Sequence, residues 1–184
     1  MDISARLAYV KAMADQIKGY MLNDQLYGQL TGTAIEGTVG RTLLYLRQLY
    51  AADVTTDDLA EAKTAIENAL DKWQVQATDK AQREAVVRLR DWEEYVDKVV
   101  KEPGYGLAAD YPRLAETRTI LHVLGDHMPD VLDEMQRNAL ASVDTTFRAV
   151  SQAGDFLWEA DLKSGFPQAD YWWLYVRPIE EAEE

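Results

Sequence analysis

His122 and His127 are the first residues whose type invites chemistry. Imidazole beside Asp126, Asp130 and Glu134 offers a divalent metal a mixed nitrogen and oxygen donor set. The spacing works against that use. Side chains share a helix face at separations of three or four residues; these histidines are five apart, and Gly125 and Pro129 place His127 in a turn. The Glu-x-x-His pattern of di-iron bundles is also missing, because Thr119 and Leu124 stand where the glutamates belong. The sequence has no cysteine, which removes thiolate ligands, disulfides and thiol catalysis together. The expectation is no metal and no cofactor. His122, His127, Asp130 and Glu134 are the weak candidates a metal would need.

Gly32 and Gly37 have the spacing of the two glycines of a phosphate-binding P-loop. The lysine that reaches the phosphates belongs at the next position, which is Thr38, and no strand precedes the motif. Gly37-Thr38-Val39-Gly40-Arg41 can still present amides and a guanidinium to an anion at a helix start. A small-residue entry into a helix accounts for the same residues. Acids at i,i+3 on facing helices can hold Mg²⁺, and Asp58/Glu61, Glu94/Asp97 and Asp130/Asp133 have that spacing. With 32 acids in the chain, such pairs arise by chance. Ser4, Ser142, Ser151 and Ser164 lie in no nucleophile elbow, so nothing points to acyl transfer.

The aromatic residues are the least ordinary feature. Five Trp and ten Tyr stand against three Phe, and Trp and Tyr gather where an apolar surface meets water, a ligand or a partner. Tyr171, Trp172, Trp173 and Tyr175 are the candidate partner-binding residues. In an extended segment Trp172 and Leu174 point one way and Tyr171, Trp173 and Tyr175 the other. One set then caps the molecule, and the other meets a protein partner or a second copy of the chain, or is buried in the same domain.

Charge narrows the partner class. The formal net charge is −13, and residues 125–184 hold 13 acids against 4 bases. Nucleic-acid and anionic-membrane partners need a basic face and are disfavoured; a basic protein is not. The first residues lack the apolar core of a signal peptide, and no apolar run reaches the roughly 20 residues of a membrane helix. A soluble, cytoplasmic protein is expected.

The elements that must position these residues are helices. Apolar residues recur at helical spacing over 3–22, the glycines of 23–37 make a loop, and a second helix runs from Val39 to about Asp53. Thr55 with Asp58, and Asp79 with Gln82, are loose capping boxes for two further helices. The first runs to about Gln76. The second runs to about Lys101, with Val86, Leu89, Val96 and Val99 or Val100 inward and Glu84–Arg88, Glu94–Lys98 and Asp97–Lys101 pairs outward. Pro103 to Gly106 stop it. Pro112 and Pro129 open the next two helices, the latter with Leu132, Met135, Ala139, Val143 and Val150 inward, and a short helix is expected over 155–163.

The fold class that follows is all-α: an antiparallel helical bundle of about four long and one or two short helices, with an extended aromatic C-terminal strap. Residues 1–163 form the bundle, and residues 164–184 form the strap and acidic tail packed on the same domain. Trp73, Leu89, Leu121 and Val143 are expected in the core. No motif identifies a family. Two functional readings follow. The first is a non-enzymatic helical protein-interaction module, in its specific form an acidic inhibitor or immunity-type binder of a basic partner. The alternative is a metal- or small-ligand-binding bundle enzyme with a site near His122 and His127.

Overall fold

A computed structural model of the chain describes residues 2–102 and 107–179. Helices make up 71% of it and the only sheet among the described residues is a two-stranded ribbon, so the protein is an all-α helical bundle. Among the described residues no helix is long and apolar enough to cross a membrane. The chain forms two compact units, Met1–Glu84 and Ala85–Glu184.

Unit one holds α1 (Ile3–Leu22), α2 (Val39–Ala51), α3 (Asp57–Lys72) and the start of α4 (Gln74–Lys101). Each of the first three helices begins on a side chain that satisfies an otherwise orphaned amide. Asp2 accepts from Ala5 at 2.8 Å, Thr38 from Arg41 at 3.2 Å and Thr56 from Leu59 at 3.2 Å. Helix α1 packs on α2 and α3, and Tyr9, Val10, Met13, Ile17 and Met21 of α1, Leu43, Leu44 and Leu49 of α2 and Leu59 and Ile66 of α3 are all buried. Each large side chain so buried contributes about 1.5–3 kcal/mol.

The expected boundary between the third and fourth helices is displaced. The break falls at Trp73, whose amide closes α3 on the Ala69 carbonyl and whose own carbonyl accepts from Ala77. Asp79 then lies inside α4 and reaches Arg83 instead of capping a start. Trp73, expected in the core, is half-buried at this corner.

Unit two holds the rest of α4, then α5 (Leu107–His127), α6 (Glu134–Ala149), β1 (Ser151–Ala153), 3-10 turns at Ala160–Gly165 and Trp172–Tyr175, and β2 (Val176–Pro178). Strands β1 and β2 pair antiparallel with Gln152 opposite Arg177. Helix α6 opens at Glu134 and not at Pro129, because Asp133 and Gln136 form a reciprocal capping box at 2.8 and 2.9 Å. Pro112 lies inside α5. Leu89 and Leu121 are core residues as expected, whereas Val143 is half-buried and Val86, Val100 and Met135 are exposed. The expected stop at 103–106 and the acidic tail at 180–184 lie outside the described residues.

Over residues 164–179 the C-terminal strap is packed in unit two, but its middle is not extended. The Leu174 amide donates to the Tyr171 carbonyl, and the chain closes a 3-10 turn before β2. A three-residue period replaces the two-residue alternation, so Tyr171, Trp172, Trp173, Leu174 and Tyr175 are all buried.

Candidate functional site

The interior of unit two is built on a polar network that an apolar pattern does not announce. Thr117, Arg118 and Thr119 interrupt the apolar run of α5, and all three are buried. Arg118 grips Asp144 of α6 through both arms, Nε to Oδ1 at 3.0 Å and Nη2 to Oδ2 at 2.7 Å. The Trp92 indole donates to the same Asp144 oxygen at 3.0 Å. The Arg118 guanidinium also lies 3.9 Å from the centre of the Trp173 ring, and the Trp173 indole donates to Thr119 at 2.9 Å. The Tyr111 hydroxyl donates to the Trp173 carbonyl. Helices α4, α5 and α6 and the strap therefore meet on one buried ion pair and two indoles.

Tyr171, Trp172, Trp173 and Tyr175, expected at a partner surface, are instead core residues of this unit. They are 0%, 9%, 1% and 7% exposed. Tyr171 meets Phe166 edge-on at 5.0 Å, and Tyr175 donates to the Phe166 carbonyl at 2.7 Å. Trp172 lies under the Arg148 guanidinium at 3.6 Å. Burial pushes the Tyr111 and Tyr95 phenols well above their ordinary range, because a phenolate there would lose its water.

The histidines turn to separate partners. His122 approaches Asp126 one turn along α5 at 3.8 Å and sets its ring edge-on to Tyr171 at 4.7 Å and Trp173 at 5.4 Å. His127 lies at the end of α5, with Nδ1 2.9 Å from the Val123 carbonyl. Asp130 is exposed in the turn that follows, and Glu134 is exposed in the first turn of α6. Among the described residues no three His, Asp or Glu side chains are grouped to hold a metal ion. Of the carboxylate pairs, Asp97 meets Lys101 at 2.8 Å and Glu94 meets Arg90 at 3.8 Å; Asp58 meets Lys11.

In unit one the anion position expected at Gly37–Arg41 is filled from within. Glu84 is completely buried rather than on the outer face of α4. It accepts from the Thr38 hydroxyl at 2.6 Å and from the Gly40 amide at 2.8 Å. The positive end of α2 thus has a carboxylate supplied by α4. Tyr9 joins the cluster, accepting from the Thr38 amide at 3.2 Å and lying 3.2 Å from the Thr42 hydroxyl.

Basic and acidic groups are distributed unequally in the later part of the chain. The cations beyond Gly125 are Arg137, Arg148, Lys163 and Arg177. Arg137 donates to the Leu132 carbonyl and Arg177 to the Val176 carbonyl, while Arg148 and Lys163 lie over the Trp172 and Tyr175 rings. None of the four meets a carboxylate among the described residues. Asp126, Asp130, Asp133, Glu134, Asp155, Glu159, Asp161 and Asp170 are exposed.

Compared with known proteins, the chain matches no protein-family model, no curated protein and no solved structure.

Proposed function

We propose that this is a non-enzymatic interaction protein of the cytoplasm that presents the acidic surface of unit two to a basic protein partner. In its specific form it is an inhibitor or immunity-type protein that blocks its partner by complementing a basic face. The observation that carries this reading is where the late cations go. Arg137, Arg148, Lys163 and Arg177 lie on aromatic rings and carbonyl oxygens, and the exposed carboxylates of this part of the chain outnumber them. A surface of one sign steers an oppositely charged partner and raises the association rate, an effect that salt weakens. The same field repels nucleic-acid phosphates and a second acidic copy of the chain.

Triple reversal at Asp155, Asp161 and Asp170 to lysine tests the reading, because all three are exposed. Immobilised wild type is expected to retain a basic protein from a soluble cell extract and to release it as salt rises. The reversed protein, with an unchanged circular-dichroism spectrum and melting temperature, is expected to retain none of it. Equal retention by both proteins, or retention that salt does not weaken, refutes the reading.

A further inference from the structure

Strands β1 and β2 of unit two form a ribbon, and each strand of a ribbon has one edge that its partner does not use. The register identifies the backbone groups on those edges. The Ile179 amide donates to the Val150 carbonyl at 3.0 Å, and the Gly154 amide donates to the Tyr175 carbonyl at 3.0 Å. Hydrogen-bonded pairs alternate with open pairs in an antiparallel ladder, so Gln152 and Arg177 form the bonded pair between these two. Ser151 and Ala153 on β1, and Val176 and Pro178 on β2, therefore turn their backbone polar groups outward.

Only one of the two edges is protected. On β2, Pro178 has no amide to offer, the Val176 carbonyl accepts from Arg177 Nη1 at 2.7 Å, and α5 packs against the strand. Strand β1 carries no proline and no lysine, and Gln152, Ala153, Gly154 and Asp155 are exposed. The Ser151 hydroxyl turns back to the Arg148 carbonyl at 3.4 Å. Among the described residues, the amides and carbonyls of Ser151 and Ala153 meet no partner. Two donors and two acceptors, alternating at the spacing of a strand, are the groups that an added strand pairs with.

We propose that the open edge of β1 takes an extended, basic segment of the protein partner as a third strand. The proposal rests on the reading of unit two as an acidic docking unit, and it names the place and the mode of contact. Charge selects the occupant. Asp155 is exposed just beyond β1, and in sequence Ile179 leads into Glu180, Glu181, Glu183 and Glu184. Acids on both sides of the paired ribbon attract lysine and arginine and repel a second copy of this chain, whose net charge is −13. Backbone pairing supplies the geometry and the flanking charges supply the choice of sequence.

The end-blocked peptide Lys-Val-Thr-Val-Lys, titrated into isotope-labelled full-length protein, tests the proposal. It is expected to move the amide resonances of residues 150–155 saturably and to slow hydrogen exchange at Ser151 and Ala153. The counterpart with glutamate for lysine, and a copy N-methylated at every residue, are each expected to bind roughly tenfold more weakly or worse. Ala153→Pro removes one outward donor and keeps the bonds between β1 and β2, so it is expected to weaken binding to a similar degree with the melting temperature unchanged. The methylated peptide asks the same question of the wild-type chain, so the answer does not depend on that variant folding. Unmoved Ser151 and Ala153 resonances, or equal affinity for the methylated copy, would overturn strand addition. Shifts confined to Asp155, Asp161 and Asp170 would overturn it and leave the acidic-surface reading standing. Equal affinity for the glutamate peptide would refute the basic occupant and that reading together. Self-association that Ala153→Pro abolishes would assign the edge to a second copy and overturn the proposal.

Discussion

Replacing Asp144 by alanine removes the partner that keeps Arg118 in the interior, and the cost can be worked from the geometry. The Arg118 side chain is 7% exposed and makes two short bonds to Asp144, so removing the carboxylate strands a buried cation. Such losses run at about 3–5 kcal/mol. The Trp92 indole loses its acceptor as well, a further ~1–3 kcal/mol if nothing replaces it. One effect acts the other way. The Asp144 side chain is 14% exposed, so water can enter the gap it leaves. The balance is about 4 kcal/mol, roughly a thousandfold in the unfolding constant. Urea unfolding followed by tryptophan fluorescence reads it directly. Arg118→Met combined with Asp144→Leu removes both charges and is expected to cost no more than about 1–2 kcal/mol, well below the single change. If Asp144→Ala costs under about 1 kcal/mol, or the double variant is as unstable as the single, the pair does not hold the unit together as argued.

Three further perturbations follow from the same geometry. Gln16→Ala removes both side-chain bonds to Thr31 and is expected to cost about 1–2 kcal/mol and to speed hydrogen exchange at the Thr31 amide. Burial raises the pKa of Tyr9, Tyr20, Tyr95 and Tyr111 above the unfolded value of about 10, so their stabilisation is complete below pH ~10 and is lost as pH rises beyond it. Lys80, whose pKa burial lowers, has the opposite sign, with stability rising from its folded pKa up to about 10.5; four phenols outweigh it, and urea unfolding at neutral and strongly alkaline pH measures the net loss. Deleting residues 166–184 removes Phe166 and the five buried residues from Tyr171 to Tyr175, a loss comparable to the whole ~5–15 kcal/mol stability of a domain, so unit two is expected not to fold and a sharp near-ultraviolet dichroism signal to disappear.

Helix existence was legible in the sequence because α1, α2 and α3 each carry a stripe of apolar residues at steps of three and four, and Asp2 caps α1 as expected, whereas the cap of α3 is Thr56 and not the expected Thr55. Helix phase was less so where the stripe is weak. In α6 the apolar positions Met135, Ala139 and Val143 define one face, yet the side chains that enter the interior are Asp144 and Phe147, and Met135 is among the most exposed large residues. The true inner face is turned by about one residue, roughly 100°, from the apolar one. An ion pair inside a helix interface reads in sequence as a surface charge, and the hydrophobic pattern then points the wrong way around the helix.

The same physics hides the polar sites. Glu84 with Arg88 has the spacing of a solvated pair, but Glu84 faces inward because the amide end of α2 and the Thr38 hydroxyl supply the hydrogen bonds that make its burial tolerable. Nothing in the local sequence of α4 names those donors, which lie more than forty residues away. The aromatic strap shows the converse. Its alternation assumed an extended backbone with one aromatic face left for a partner, and a single 3-10 turn brought both faces inward. Once those rings are inside, they attract Arg118, Arg148 and Lys163 as well, since a shielded ring face stabilises a cation. Burying the aromatics is therefore also what sets Arg118, Arg148 and Lys163 on ring faces, so the segment first read as a contact surface instead organises cations of its own unit.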